Sequence, residues 1–108
     1  MEIWKPIKGY EGYYEVSNTG HVRNAKTKQI LSPSDNGQRL RVTLCKEGVQ
    51  KSHAVHRLVA EAFIVNNCPD YKTQVNHKDN NRYNNCVDNL EWVTPSENTT
   101  HAYANGYN

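Results

Sequence analysis

One histidine stands in a run of amides. The stretch NHKDNNRYNNCVDNLEW, from Asn76 to Trp92, sets His77 among six asparagines: Asn76, Asn80, Asn81, Asn84, Asn85 and Asn89. Two readings fit these residue types. Asparagine tolerates left-handed backbone angles and closes turns with its side chain, so the run can be a long loop and nothing more. Alternatively the imidazole is the working group, because histidine alone titrates near neutrality without strong help from its surroundings and so suits general-base chemistry. Asn89 lies far enough beyond His77 for the chain to loop out and return beside it as a second strand.

The elements that would position such a site follow from the pattern of the 108 residues. A chain of this length makes one modest core. Tyr14, Val16 and Val22 around SNTG predict two short strands and a tight turn. Leu40, Val42 and Leu44 alternate with Arg39, Arg41 and Thr43, which predicts a hairpin turning at KEG with basic residues on its solvent face. From Val55 the apolar residues Leu58, Val59, Ala62 and Phe63 recur at three and four, the period of an amphipathic helix that ends before Asn66 and Asn67. TQVNH and NLEWVT read as short strands on either side of the asparagine-rich loop. TPSENTTHAY then opens a helix, with Thr94 as N-cap, Pro95 in its first turn and Glu97 completing a capping box.

Charge narrows the partner. The net charge is +2, yet residues 21–57 carry eight lysines and arginines, from Arg23 to Arg57, against only Asp35 and Glu47. A basic middle segment is either a solvated hairpin or a surface that meets a polyanion such as nucleic acid. Cys45, Cys68 and Cys86 are odd in number and form no C-x-x-C pair, which argues against a disulfide framework or a cysteine-based zinc site and fits a reducing compartment. No apolar run approaches the roughly 20 residues of a membrane span, so no membrane partner and a cytoplasmic, host-cell location are expected.

VNHKDNNRYNNCVDNLEWVTPSENTTHAY resembles the HNH endonuclease module, two antiparallel strands and a helix around one divalent metal. IWKPIKGYEGYYEVSNTGHVRN is similar to the small N-terminal module that precedes it in phage and mobile-intron HNH homing endonucleases. The resemblance implies an α+β fold: an N-terminal β module with a basic hairpin over residues 1–52, putting DNA contacts there, and a ββα-metal nuclease module over residues 53–108. It implies a metal-dependent enzyme that hydrolyses DNA phosphodiesters, nicking or cutting both strands and leaving 5′-phosphate and 3′-hydroxyl ends.

By the same resemblance His77 is the general base and Asn89 the residue that fixes the loop and orients its ring. Asn76 and Asn98 are the metal ligands; His101, three residues beyond Asn98 and on the same side of a helix, is either a contact to metal or phosphate or an exposed helix-end histidine. Amide oxygens suit a hard cation, Mg2+ or Mn2+. Many relatives carry aspartate or histidine at the position of Asn76, so a weakly active or inactive DNA-binding protein that keeps the fold is the alternative. Asp79 is either an acid behind the metal site or a turn residue. Leu90 and Trp92 are assigned to the core beneath the site, and His56 to structural packing. Arg39, Arg41, Lys46, Lys51 and Arg57 are the expected contacts to double-stranded DNA, positioning its backbone without reading bases. A chain that stops at HAYANGYN is expected to be minimal, to pair as a homodimer, or to be a piece of a longer protein.

Overall fold

The computed structural model describes residues 2–35, 39–79 and 81–96. Strands β1 (Trp4–Pro6), β2 (Tyr14–Ser17) and β3 (Val22–Asn24) form an antiparallel sheet in that order. A second antiparallel sheet follows, β4 (Ser34–Asp35), β5 (Leu40–Lys46) and β6 (Val49–Ala54). Helix α1 (Val55–Phe63) continues directly from β6, and a two-stranded sheet of β7 (Gln74–His77) and β8 (Leu90–Val93) comes last, with one 3-10 turn at Val87–Asn89 between its strands. Strands with one helix make the α+β class expected from the sequence. Pro95 and Ser96 have helical backbone, while Glu97, Asn98 and His101 lie outside the described residues.

The long hairpin shows how local chemistry sets the register. Lys46 pairs with Val49, which leaves a two-residue loop of Glu47 (φ 53) and Gly48 (φ 79). Positive φ at both positions matches the right-handed twist of the flanking strands, and glycine supplies the second without strain. Val42 and Leu44 then fall on the buried side. The basic residues do not share one face. Arg39 and Arg41 keep step with exposed Thr43, whereas Lys51 pairs with Leu44 and Lys46 is in phase with it, so the two lysines flank the opposite side.

One apolar cluster unites all three sheets. Ile7, Val16 and Val22 come from the first, Val42 and Leu44 from the second, Val55, Leu58 and Val59 from α1, and Val75 and Leu90 from the last. Polar bonds tie the first sheet to the hairpin: the Cys45 backbone N–H donates to Tyr14 Oη at 3.2 Å, Lys46 Nζ donates to the Gly9 carbonyl at 2.9 Å, and Tyr10 Oη meets His53 Nε2 at 3.0 Å. Trp92, half-buried against the cluster, donates its indole N–H to the Ile64 carbonyl at 3.0 Å. That bond anchors the chain just past the last turn of α1. The three cysteines are free thiols, and among the described residues no helix is long and apolar enough to cross a membrane.

Because Leu44 is fully buried where the sheets meet, Leu44→Ala should cost about 2–5 kcal/mol, the range for deleting a core leucine. Urea unfolding followed separately at Trp4 and Trp92, using single-tryptophan variants, should give coincident midpoints that shift together. Two separated transitions would mean that the apolar cluster is not one cooperative unit.

Candidate active site

The asparagine-rich stretch is a loop held by its own side chains. Asp79 is the hub: its Oδ1 accepts from the backbone of Asn81 at 2.8 Å and from Asn89 Nδ2 at 2.9 Å, while its Oδ2 accepts from Asn84 Nδ2 at 3.0 Å. Asn89 closes the other half. Its Oδ1 accepts from the Asp79 backbone N–H at 3.1 Å, its Nδ2 also reaches the Asn84 carbonyl at 2.9 Å, and its own carbonyl accepts from Lys78 at 2.7 Å. Asn81 Oδ1 accepts from the Tyr83 backbone at 3.0 Å. Short amides can satisfy backbone donors and acceptors in a loop that has no strand partner to do so. These bonds, Asn84 first, hold the exposed Asp79 carboxyl below its ordinary range.

His77 ends β7, opposite Leu90. Its Nε2 lies 2.7 Å from Oδ1 of the buried Asn85, and its ring packs against that of His56 with centroids 5.0 Å apart. Asn89, the expected orienter, bonds to the loop backbone and Asp79, and the hydrogen-bond partner of the ring itself is Asn85 Oδ1. The sequence reading missed this residue. Its only signal was membership of the pair Asn84–Asn85, indistinguishable by type from the loop-closing amides around it.

Asn76 is buried beside His77 on the same strand and faces Glu91 across the pair, its Nδ2 donating to Glu91 Oε2 at 3.0 Å. The donor chemistry suits a hard cation, because tying down the amide nitrogen leaves the Asn76 Oδ1 as an acceptor next to a carboxylate. Among the described residues no group of three His, Cys, Asp or Glu side chains could hold a metal. Asn76 and Glu91 are the oxygen donors that the described part of this strand pair would offer a cation. Asn98 and His101 fall outside the described residues.

A cleft of about 360 Å³ opens beside β7, lined by Arg39, His56, Arg57, Thr73, Gln74 and Val75. Arg57 is fixed at its rim by a 2.7 Å bond to the Thr73 carbonyl and lies over the Trp92 ring at 5.4 Å. Arg41 bonds along the neighbouring strand, to Ser52 Oγ at 2.8 Å and its carbonyl at 3.0 Å. Lys46 and Lys51 line a different recess with Tyr10 and His53. A further bridge joins the loop to the second sheet: Tyr83 Oη donates to Asp35 Oδ2 at 2.5 Å, and Arg82 approaches the same carboxylate at 3.4 Å.

His56, on α1, is the buried cation that this site avoids. Burial first, and then the proximity of His77, Arg39 and Arg57, pushes its pKa from 6.5 down to about 3. The unfolded ring takes its proton near 6.5 and the folded ring only near 3, so between these values the unfolded state binds more protons. The stability this group confers is complete above 6.5 and is lost progressively as pH falls through that window. Urea midpoints measured across the window should decline toward acid in the wild type and decline less steeply in His56→Leu. Parallel curves would mean that His56 titrates normally in the fold.

Comparison with known proteins places this geometry. Residues 2–45 match the NUMOD4 motif and residues 53–100 match the HNH endonuclease family. An uncharacterized HNH endonuclease of Acanthamoeba polyphaga mimivirus is 45% identical over 107 residues, covering 96% of this chain and 27% of that protein. DNA endonuclease I-HmuI of Bacillus phage SP01 is 44% identical over 108 residues, covering 95% of this chain and 59% of that protein. A solved structure of DNA binding and cleavage by the HNH homing endonuclease I-HmuI matches with a TM-score of 0.86 at 41% identity, over 96% of this chain and 59% of that one. The chain thus spans less than two thirds of the length of these relatives. With a NUMOD4 motif ahead of it and a solved homing endonuclease structure as a match, the part of this chain over residues 53–100 belongs with the HNH endonucleases.

Proposed function

We propose that this chain is the DNA-holding and DNA-cutting part of a metal-dependent HNH endonuclease. Residues 1–52 mainly grip the duplex and residues 53–108 carry the chemistry. The observation that carries this reading is His77: a half-buried imidazole at a strand end, held by Asn85 and packed on His56, which lines a cleft edged by Arg39 and Arg57. His77 takes a proton from water as the water oxygen bonds to phosphorus. The bond from phosphorus to the 3′ oxygen breaks and that oxygen takes a proton from solvent, leaving 5′-phosphate and 3′-hydroxyl ends. Arg39 and Arg57 hold the flanking phosphates, and Arg41 adds positive charge along the same side of the hairpin. Asn76 and Asn98, with the Glu91 carboxylate bonded to Asn76, would hold a divalent cation, Mg2+ or Mn2+, which would supply charge neutralisation at the scissile phosphate.

His77→Ala should lower nicking of supercoiled plasmid by about 10²- to 10⁴-fold, the range for losing a general base, while binding in chelator stays intact. A folded variant that nicks at the wild-type rate removes His77 from the role. Asn76→Asp adds negative charge to the donor set and should tighten Mn2+ binding in a metal titration. Unchanged affinity would place the cation elsewhere. Binding without any chelator-sensitive cleavage would instead support the DNA-binding alternative, in which the fold is kept and the chemistry is lost.

The division of basic residues between two faces gives a separate test. Arg39→Ala should flatten the slope of log affinity against log salt by about 0.9, one phosphate contact on duplex DNA, whereas Lys51→Ala should leave it unchanged. The reverse pattern would put the duplex on the recess lined by Tyr10, Lys46 and His53.

A further inference from the structure

The N-terminal sheet reaches His77 through Asn85. Its turn, Ser17 to Gly20, closes with the Gly20 N–H donating to the Ser17 carbonyl at 3.1 Å, and Ser17 Oγ, fully buried, accepts from the His21 backbone at 3.0 Å. This turn lies against Asn85, Cys86 and Val87. The Val87 N–H donates to the Asn18 carbonyl at 2.8 Å, and Cys86 Sγ approaches the Thr19 carbonyl at 3.6 Å. Gly20, at φ +93, comes so close that a Cβ there would sit 2.9 Å from Asn85 Cβ and 3.0 Å from its carbonyl oxygen. No side chain fits between the turn and Asn85.

We infer that Asn85, seated on the Ser17–Gly20 turn, is a positioning residue for His77 that fixes the ring as its Nε2–H tautomer and leaves Nδ1 to take the proton from water. The chemistry is one-directional: an amide oxygen only accepts, so the 2.7 Å bond to Asn85 Oδ1 requires the proton on Nε2. Asn85 is 4% exposed, which shields this bond from competing water. The N-terminal module is then part of the catalytic apparatus as well as a grip on DNA. The inference rests on His77 as the base, yet the tautomer is measurable without metal, DNA or turnover.

Ring-nitrogen NMR of His77 in the full chain, with the imidazole neutral, should show the Nε2–H form. A predominant Nδ1–H form overturns the inference. Asn85→Ala should shift the ring toward a mixture of tautomers and lower nicking by about 10- to 100-fold, the range seen when a ligating histidine loses the partner that sets its tautomer. Asn85→Asp keeps an oxygen acceptor at the same reach and should retain the Nε2 proton. If Asn85→Ala leaves both ring signals and rate unaltered, Asn85 does not position the base. Gly20→Ala tests the turn, with Gly9→Ala as control, because Gly9 has a similar φ of +86 and nothing within 4 Å of its would-be Cβ. The first should move the His77 signals and the second should not; equal effects would reduce the turn to a generic source of stability. A wild-type chain that shows the Nε2–H form, lost in Asn85→Ala, but never cuts DNA would refute the nuclease reading and leave the positioning intact.

Discussion

The structure hangs on the seat of residues 85–87 against the Ser17–Gly20 turn. It joins the two ends of the described chain through main-chain hydrogen bonds and a backbone contact that only glycine permits. The first sheet also enters this seat from behind. Asn18 receives the Ile3 N–H on its side-chain oxygen at 2.8 Å and donates its own N–H to the Ile3 carbonyl at 3.0 Å, so β1 braces the turn. The apolar cluster beneath then has contributors on both sides of the link at residue 52. The two family motifs divide the chain near residue 52; packing does not follow that division.

Against that seat, the amide-rich loop becomes intelligible. A loop that leaves one strand at His77 and returns at Leu90 must satisfy its own backbone, since neither strand of the pair is available to it. Asp79 and Asn89 do so reciprocally, and Asn84 closes the ring between them. Asn85, among neighbours of the same type, has a different task because it alone is buried against Gly20 and His77. The bridge from Tyr83 and Arg82 to Asp35 pins the loop's outer end to the second sheet.

Much of this was legible in the residues. The alternation at Leu40, Val42 and Leu44 and the three-and-four spacing from Val55 to Phe63 gave β5 and α1, because periodicity reports directly on which side is buried. His77 and the partnering of VNH with LEW came from the family pattern. What escaped was everything that depends on tertiary approach. β1 has no apolar alternation and exists because Asn18 and the edge of β2 receive it. The split of Arg39 from Lys51 required the hairpin register, which one turn residue more or less would invert. Asn85 could not be told from five other asparagines, and the pairing of Asn76 with Glu91 needed the exact opposition of β7 and β8.

The glycine contact at position 20 also bears on how such modules can be recombined. A joint between the two family motifs near residue 52 is the simplest place to cut and splice the chain, yet it puts Gly20 and Asn85 on different pieces, so their contact would have to be re-formed by two surfaces of different origin. A donor module with any side chain at that turn position would meet the recipient's backbone before its strands could seat. Compatibility between the two motifs is therefore written in a single missing Cβ and the one residue facing it, and exchange of N-terminal segments is restricted to donors that keep that gap open.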